Sequence, residues 1–286
     1  MAVLEGKSET FWRLIDKKAE VNQVATGFAL AGGAVFSRIG YLLFCDVAGQ
    51  RIMKWERGQV STFREKSDTK SDTKSDSKSN KAMDLTFDHQ GRLLAAEGGG
   101  RVTRTEKNGD VTVLASEGLR GPNSLVYAID GSVYFSDAAM SRVYRITRQR
   151  SGVGGAPPKG EVQVVAETPA PSAVALSANQ QQLFVADSKT GMVIVHNIQD
   201  DGRLSGGRDF AAVRADGLKT DEAGNVWMAV VDGIRVYGGD GQHLGTVKTP
   251  EAAGNCCWGD GFHGLYITAT KSVYHIATLV AGTRTY

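Results

Sequence analysis

One pattern of turn and strand signals recurs six times along the 286-residue chain, and it restricts the fold more than any other feature. Each unit has a short opening segment, a turn, a buried strand, a second turn and a more polar strand. The units begin with the segments Gly32–Asp46, Ala82–Glu97, Pro122–Asp137, Pro171–Asp187, Ala215–Val230 and Gly254–Ala269. A spacing of about 40 to 50 residues is typical of propeller blades with four strands each.

The chemistry within each unit agrees with this interpretation. DHQG, AIDG, DEAG and GDGFHG place glycine or aspartate where a hairpin turn needs a tolerant backbone. The strands that follow, such as VYF, VWM and LYI, are rich in β-branched and aromatic residues. Third strands with alternating apolar and polar residues are predicted at Arg51–Trp55, Val102–Thr105, Val143–Ile146 and Val273–Ile276.

The last unit lacks a fourth strand of its own. Near the N-terminus, Ala19–Thr26 resembles the fourth strands GQVSTF and GDVTVLA of earlier units. Pairing this segment with the last unit would leave no open sheet edge there. The sequence therefore predicts an all-β, six-bladed propeller with four-stranded blades, closed by an N-terminal strand that joins the C-terminal blade. We expect residues 1–286 to form one domain.

One segment departs from the repeat. Ser67–Lys81, within a predicted loop over residues 66–81, is a tetrapeptide repeat of alternating aspartate and lysine without an apolar residue. Such a segment cannot bury enough surface to fold alone, so we expect a flexible, solvated loop. Two interpretations are open: an insertion without function, or a lid over one mouth of the propeller.

Charge and cysteine content narrow the functional class. The net charge of +2 and the pI of 8.4 are too mild to indicate nucleic acid or a membrane surface as partner. The N-terminus lacks the pattern of a signal peptide, and no apolar run is long enough to span a bilayer. Cys45, Cys256 and Cys257 are expected to be buried thiols of a cytoplasmic protein. We expect a small-molecule substrate. The oligomeric state, monomer or homo-oligomer, does not follow from the sequence.

The first residues of the six inner strands should converge on the propeller axis. These opening positions are predicted to be Gly32, Met83, Asn123, Ser172, Asp216 and Asn255, with Asp84 beside Met83. Concave mouths of this kind bind ligands preferentially. Asp216 is the titratable residue among the opening positions, and a desolvated carboxyl group there is a candidate catalytic base. The alternative is that Asp216 caps the following turn.

The other polar or flexible residues near the axis are candidates for binding substrate. This set contains Asn123, Asn255, Ser172, Glu97, Asp84 and Met83. Glu97 has a second possible role, an ion pair with Arg101. Asp46, Asp137 and Asp187 end the equivalent strands of other units, and their recurrence favours a structural role at turns.

Several segments resemble bacterial gluconolactonases and SMP-30-like lactone hydrolases. They include FALAGGAVF, PNSLVYAIDGSVYFSD, DGLKTDEAGNVWMAV and GNCCWGDGFHGLYITA, and the resemblance runs from about residue 11 to the end. It implies hydrolysis of a sugar lactone at an axial divalent ion, calcium or zinc, held by a glutamate, an asparagine and an aspartate. A further asparagine would contact the substrate.

The resemblance is incomplete at the residues that would bind this ion. Gly32 occupies the glutamate position and Ser172 the asparagine position, whereas Asp216 and the substrate-binding Asn123 are retained. We therefore expect no cofactor, and the divalent cation enters only through the resemblance. The family's long loop after Asp137 is also replaced by the short DAAMSRVYRI. Because this segment is short, we expect a wider mouth, which would suit a substrate bulkier than or different in shape from a sugar lactone.

Three functions are consistent with these residues. The sequence favours an enzyme that acts on a lactone, an ester or a related cyclic compound without the family's full metal site. Strictosidine-synthase-like propellers, which resemble this fold, imply that such a pocket can also catalyse reactions other than hydrolysis. The alternatives are a metal-dependent sugar-lactone hydrolase and a ligand-binding propeller without catalysis.

Overall fold

The computed structural model describes residues 3–65, 81–148 and 160–284, and the statements below refer to these residues. The chain begins with β1 (Leu4–Gly6), the short helix α1 (Phe11–Leu14) and β2 (Asn22–Thr26). Blade one contains β3 (Ala31–Phe36), β4 (Leu42–Asp46), β5 (Arg51–Glu56) and β6 (Gln59–Arg64). Blade two contains β7 (Ala82–Phe87), β8 (Leu93–Glu97), β9 (Arg101–Thr105) and β10 (Val111–Ala115). Blade three contains β11 (Pro122–Tyr127), β12 (Val133–Asp137), β13 (Arg142–Ile146) and β14 (Val162–Glu167).

The second half of the chain continues this arrangement. Blade four contains β15 (Pro171–Leu176), β16 (Gln182–Asp187), β17 (Met192–Ile198) and β18 (Leu204–Ala211). Blade five contains β19 (Gly217–Thr220), β20 (Val226–Val230), β21 (Gly233–Tyr237) and β22 (His243–Lys248). Blade six contains β23 (Ala253–Gly259), β24 (Gly264–Ala269) and β25 (Ser272–Ala277). Each inner strand contacts the inner strand of the next blade, and β23 contacts β3, so the ring closes as predicted.

The N-terminal segment completes two blades. Strand β2 pairs antiparallel with β25 as the fourth strand of blade six, which confirms the predicted closure. Strand β1 pairs with β22 and adds a fifth strand to blade five. Strand β1 is not predicted from the sequence because LEG is only three residues long and has no alternation. The loop predicted over residues 66–81 lies almost entirely outside the described residues, so its role stays a prediction.

The aspartates that end second strands bind the loops entering their own blades. Asp46, Asp137 and Asp187 are each at most 1% exposed. Their carboxylate oxygens accept hydrogen bonds from backbone N–H groups just before the inner strand, over distances of 2.8–3.2 Å. Buried carboxylates are stable when several N–H groups bind them. The predicted structural role of these residues is confirmed.

Apolar side chains fill the spaces between neighbouring blades. Phe44 of blade one packs in one cluster with Tyr266 of blade six. The rings of Trp227 and Trp258, from blades five and six, meet edge to face with centroids 5.1 Å apart. All three cysteines are buried and free, as predicted. Among the described residues, none of the helices has the length and apolar character that a bilayer span requires.

Candidate functional site

Most inner strands have an irregular register near their first residues. The pairing with the second strand shifts after Ala31, Ala82, Pro122, Pro171 and Ala253. A bulge redirects the side chain of the extra residue away from the ladder. We name the six residues at this level the mouth ring, and it consists of Gly32, Met83, Asn123, Ser172, Asp216 and Gly254.

Asn255 does not belong to this ring, so its predicted register is wrong by one residue. Asn255 pairs with Thr268, and the register shift falls on Gly254 before it. Asn255 therefore lies one residue deeper, at the level of Asp84 and Ser124. The sequence predicts the polar residue of the Gly254–Asn255 pair as the opening position. The bulge instead falls on the glycine, which has no side chain to reveal it.

Asp84 lies below the mouth ring and binds four donors. Its Oδ1 accepts hydrogen bonds from the N–H of Leu85 at 2.9 Å and from Nδ2 of Asn255 at 3.1 Å. Its Oδ2 accepts from Oγ of Ser124 at 3.0 Å and from the N–H of Leu125 at 3.2 Å. Blades two, three and six are thereby joined across the channel. Asp84 is 1% exposed, so its carboxylate is committed to these internal bonds.

Two glycines make room for this polar layer. A Cβ atom on Gly33 would lie 2.2 Å from Cα of Asp84, and one on Gly217 would lie 2.8 Å from Cα of Asn255. Any other residue there would push the inner strands apart. Burial raises the pKa of the Asp84 carboxyl group, and the positive charge of Lys219 partly opposes this. We call Gly33, Asp84, Ser124, Ala173, Gly217 and Asn255 the plug layer.

A narrow space lies on the far side of the plug layer. Its volume is about 40 Å³, and Thr86, Lys219 and Cys257 are among its lining residues. The volume suits a water molecule and is too small for an organic substrate. Lys219 and Ser124 were not predicted as site residues. The lysine in the inner-strand segment GLKT is the sequence feature that indicates a cation near the axis.

Three mouth-ring residues form a hydrogen-bonded arc over consecutive blades. Nδ2 of Asn123 donates to the backbone oxygen of Ser172 at 2.6 Å. Oγ of Ser172 donates to the backbone oxygens of Ala215 at 2.8 Å and Ala186 at 3.3 Å. Asp216 follows Ala215 directly. The arc therefore fixes Asn123 and Ser172 next to Asp216, and the Ser172 proton is already used by backbone carbonyls.

Asp216 is the mouth-ring residue that carries a charge. It is exposed, and its carboxylate makes no hydrogen bond or ion pair with another described residue. The bond expected of a turn cap is therefore missing within this part of the structure. Although the residue reaches solvent, partial burial of its carboxyl group raises the pKa of Asp216, and the positive charge of Arg214 partly lowers it. A carboxylate in this state can accept a proton from water.

Glu97 and Met83 differ in their distance from the axis. Glu97 ends β8 and is fully buried, with ion pairs to Arg101 at 2.5 Å and to Arg64 of blade one at 2.9 Å. The predicted alternative, an ion pair with Arg101, is the arrangement found. Met83 is half-buried in the mouth ring, and its side chain lies beside Gly98. Only Met83 of these two residues is placed to meet a ligand in the mouth.

The donor set of the mouth ring does not fit a hard divalent cation. Calcium takes six to eight oxygen ligands, several of them carboxylates. Gly32 offers no side chain, the Ser172 hydroxyl group donates to backbone carbonyls, and Asp216 offers one carboxylate. No group of three histidine, cysteine, aspartate or glutamate residues with metal-binding geometry occurs within the described ranges.

Within the described ranges, the connection after the second strand of blade three is short. After Asp137 the chain makes one 3-10 turn, Ala138–Met140, and then enters β13. The predicted direct passage into the next strand is therefore confirmed.

Comparison with known proteins gives one family and one fold. A family model described as the SMP-30/gluconolactonase/LRE-like region matches residues 30–271. A gluconolactonase of Zymomonas mobilis is 24% identical and aligns with 94% of this chain and 84% of its own length. The structure of a Xanthomonas campestris gluconolactonase superposes with a TM-score of 0.83 at 23% identity, covering 97% of both chains. Regucalcin of Agrobacterium tumefaciens, a calcium-binding protein, superposes with a TM-score of 0.75 at 15% identity, covering 93% and 96%.

Proposed function

Because the chain belongs to the SMP-30/gluconolactonase/LRE-like family, we propose that it hydrolyses a lactone or a related small cyclic ester at the mouth ring. Asp216 acts as the general base, and the reaction proceeds without the family's full metal site. One observation carries the proposal: Asp216 is exposed, has no hydrogen-bond or ion-pair partner among the described residues and has a raised pKa.

The proposed reaction needs one proton carrier. The Asp216 carboxylate removes a proton from water while the water oxygen attacks the lactone carbonyl carbon. The tetrahedral intermediate then collapses, the ring C–O bond breaks, and protonated Asp216 returns its proton to the departing ring oxygen. The product is an open-chain hydroxy acid. General-base catalysis of this kind contributes about 10²–10⁴-fold to the rate.

Neighbouring residues supply position and charge. Nδ2 of Asn123 is held by Ser172, so its Oδ1 is left as an acceptor for a substrate hydroxyl group. Arg214 already acts electrostatically on Asp216 and is the cation available to the negative carbonyl oxygen of the intermediate. Met83 offers an apolar, adaptable contact for the rest of the ring.

The decisive experiment is the Asp216→Asn variant, assayed on a panel of five- and six-membered lactones with and without a chelator. We expect kcat/KM to fall by about 10²–10⁴-fold, with an unchanged Tm because Asp216 supports no other described residue. Asp209→Asn removes an exposed carboxylate from β18 and is the matched control. Wild-type activity should be the same in chelator.

Two results would replace this proposal with its alternatives. Activity that chelator abolishes and calcium or zinc restores would identify a metal-dependent sugar-lactone hydrolase. Binding of lactones in the mouth ring without turnover, equally strong in Asp216→Asn, would identify a ligand-binding propeller.

A further inference from the structure

A large cavity opens at the opposite end of the propeller from the mouth ring. Its volume is about 710 Å³, within the usual range for small-molecule sites. Five aromatic side chains line it: Phe36, Trp55, Trp258, Phe262 and Tyr266. Phe36 and Trp258 belong to the last residues of inner strands β3 and β23, whereas the mouth ring lies at the first residues. We call this space the aromatic cavity.

The aromatic wall is held in a fixed geometry. The Tyr266 ring stacks on Phe36 at 5.0 Å with an interplanar angle of 26°, and it lies 5.6 Å from the Trp55 ring. Its hydroxyl group donates to the Asp260 carboxylate at 3.1 Å, and that carboxylate also contacts Nε2 of His275 at 2.9 Å. The wall is therefore organised before any ligand arrives.

The turn at the edge of the cavity has an unusual backbone. Asp260 and Phe262 have φ values of 50° and 73°, in the left-handed region that residues other than glycine rarely adopt. The N–H of Gly282 donates to the Phe262 backbone oxygen at 2.8 Å and holds the turn in place. Strained backbone that the surrounding structure maintains is concentrated at ligand sites.

Positive charge surrounds the same cavity. Arg38, Arg57 and Arg284 line it, whereas its lining carboxylate, Asp260, accepts a hydrogen bond from the Tyr266 hydroxyl group and lies 2.9 Å from Nε2 of His275. The Arg57 guanidinium makes no hydrogen bond or ion pair with a described residue. Arg284 is only loosely paired, with Glu222 at 3.6 Å. Guanidinium groups bind carboxylate and phosphate in a bidentate manner and also stack on aromatic rings.

We propose that the aromatic cavity is a second ligand site, which binds a planar aromatic molecule bearing a carboxylate or phosphate group. The ligand's ring lies against the wall formed by Trp55 and Tyr266, and its anionic group pairs with Arg57 at the rim. The size of the cavity, the fixed aromatic wall and the Arg57 guanidinium group at its rim all support this ligand class. The site is independent of the reaction proposed at the mouth ring.

The test is a titration of the full chain with 2-naphthoate, followed by tryptophan fluorescence and calorimetry. Neutral 2-naphthamide and non-aromatic cyclohexanecarboxylate serve as matched probes, and 2-naphthyl phosphate tests the second anionic group. We expect saturable binding of naphthoate or naphthyl phosphate. The two matched probes should bind at least about tenfold more weakly than naphthoate, because each lacks one of the two recognised features.

Variants locate the site. Arg57→Asn keeps a residue that tolerates the left-handed φ of 50° at this turn and should weaken naphthoate binding about tenfold. Arg208→Asn removes an exposed arginine from β18 and should leave binding unchanged, as should Asp216→Asn in the mouth ring. Equal affinity for naphthoate and naphthamide, or wild-type affinity in Arg57→Asn, would overturn the proposal. So would the absence of saturable binding of both naphthoate and naphthyl phosphate.

Discussion

Five of the described aspartate residues lie in three different environments, and the environment decides what each of the five can do. Asp46, Asp137 and Asp187 are bound by backbone N–H groups of their own loops. Asp84 is bound by four donors below the mouth ring. Asp216 alone of these five has no hydrogen-bond partner within the described structure. A free carboxylate can exchange protons with a substrate, whereas a fully bound one mainly holds strands together.

The charge of Arg214 should set the pH dependence of catalysis. Arg214 lowers the pKa of Asp216, so Arg214→Ala should raise that pKa further. A general base acts in its ionised form, so the acid limb of kcat/KM against pH should move to higher pH. Arg214→Lys keeps the charge and should leave the limb in place. A limb at the same pH in wild type and Arg214→Ala would show that another group is the base.

Replacing Asp84 should test the plug layer. Asparagine has nearly the same shape, but its NH₂ group cannot accept the hydrogen bonds that one carboxylate oxygen now receives. We expect Asp84→Asn to lower the free energy of unfolding by about 1–3 kcal/mol, the usual cost of leaving buried donors unmet. Chemical denaturation measures this, with Asp209→Asn as the exposed control. Unchanged stability would mean that Asp84 does not join the blades.

At the level of strands, the sequence supports prediction where local pattern and pairing agree. The inner and second strands carry apolar runs bounded by turn residues, so the repeat predicts all six blades, as the structure confirms. Asn255 was misplaced because a bulge leaves no mark on the sequence when its extra residue is glycine. The ion pairs of Glu97 with Arg64 join residues 33 positions apart, so local spacing alone does not define them.

The two N-terminal strands should contribute unequally to stability. A chain that begins at Ser8 lacks only β1, whose residues are half-buried or exposed, and should unfold cooperatively with a slightly lower Tm. A chain that begins at Gly27 also loses β2 and the fully buried Phe11 and Ile15, which leaves the β25 edge unpaired. It should lose cooperative unfolding, measured by calorimetry, and a synthetic peptide of residues 8–26 should restore it. A stable chain without β2 would contradict this view of ring closure.

At the scale of the whole molecule, the blades meet at two levels of the channel. The plug layer joins them through buried hydrogen bonds, and the mouth ring above it contains the exposed carboxylate of Asp216. The fold and the positions of Asp216, Asn123 and Ser172 followed from the six repeats. The plug layer did not, because its bonds connect residues from Asp84 to Asn255 that are 171 positions apart. Such contacts depend on the closed ring and have no local signature.

An engineered calcium site would test whether the mouth ring has the geometry of a metal site without its ligands. Gly32→Glu and Ser172→Asn would add two oxygen ligands to Asp216, and Val47→Ala removes the methyl group that would lie 2.7 Å from the new Cβ. Since these residues come from blades one, four and five, bound calcium should stabilise the entire ring, by about 2.7 kcal/mol at 100 times Kd. Scanning calorimetry with calcium or chelator measures this. Calcium should not change the Tm of the unmodified chain. It should also not change the Tm of the triple variant when Asp216→Asn is added as a fourth substitution. A calcium-dependent Tm in the unmodified chain, lost in Asp216→Asn, would refute the proposed metal-free chemistry.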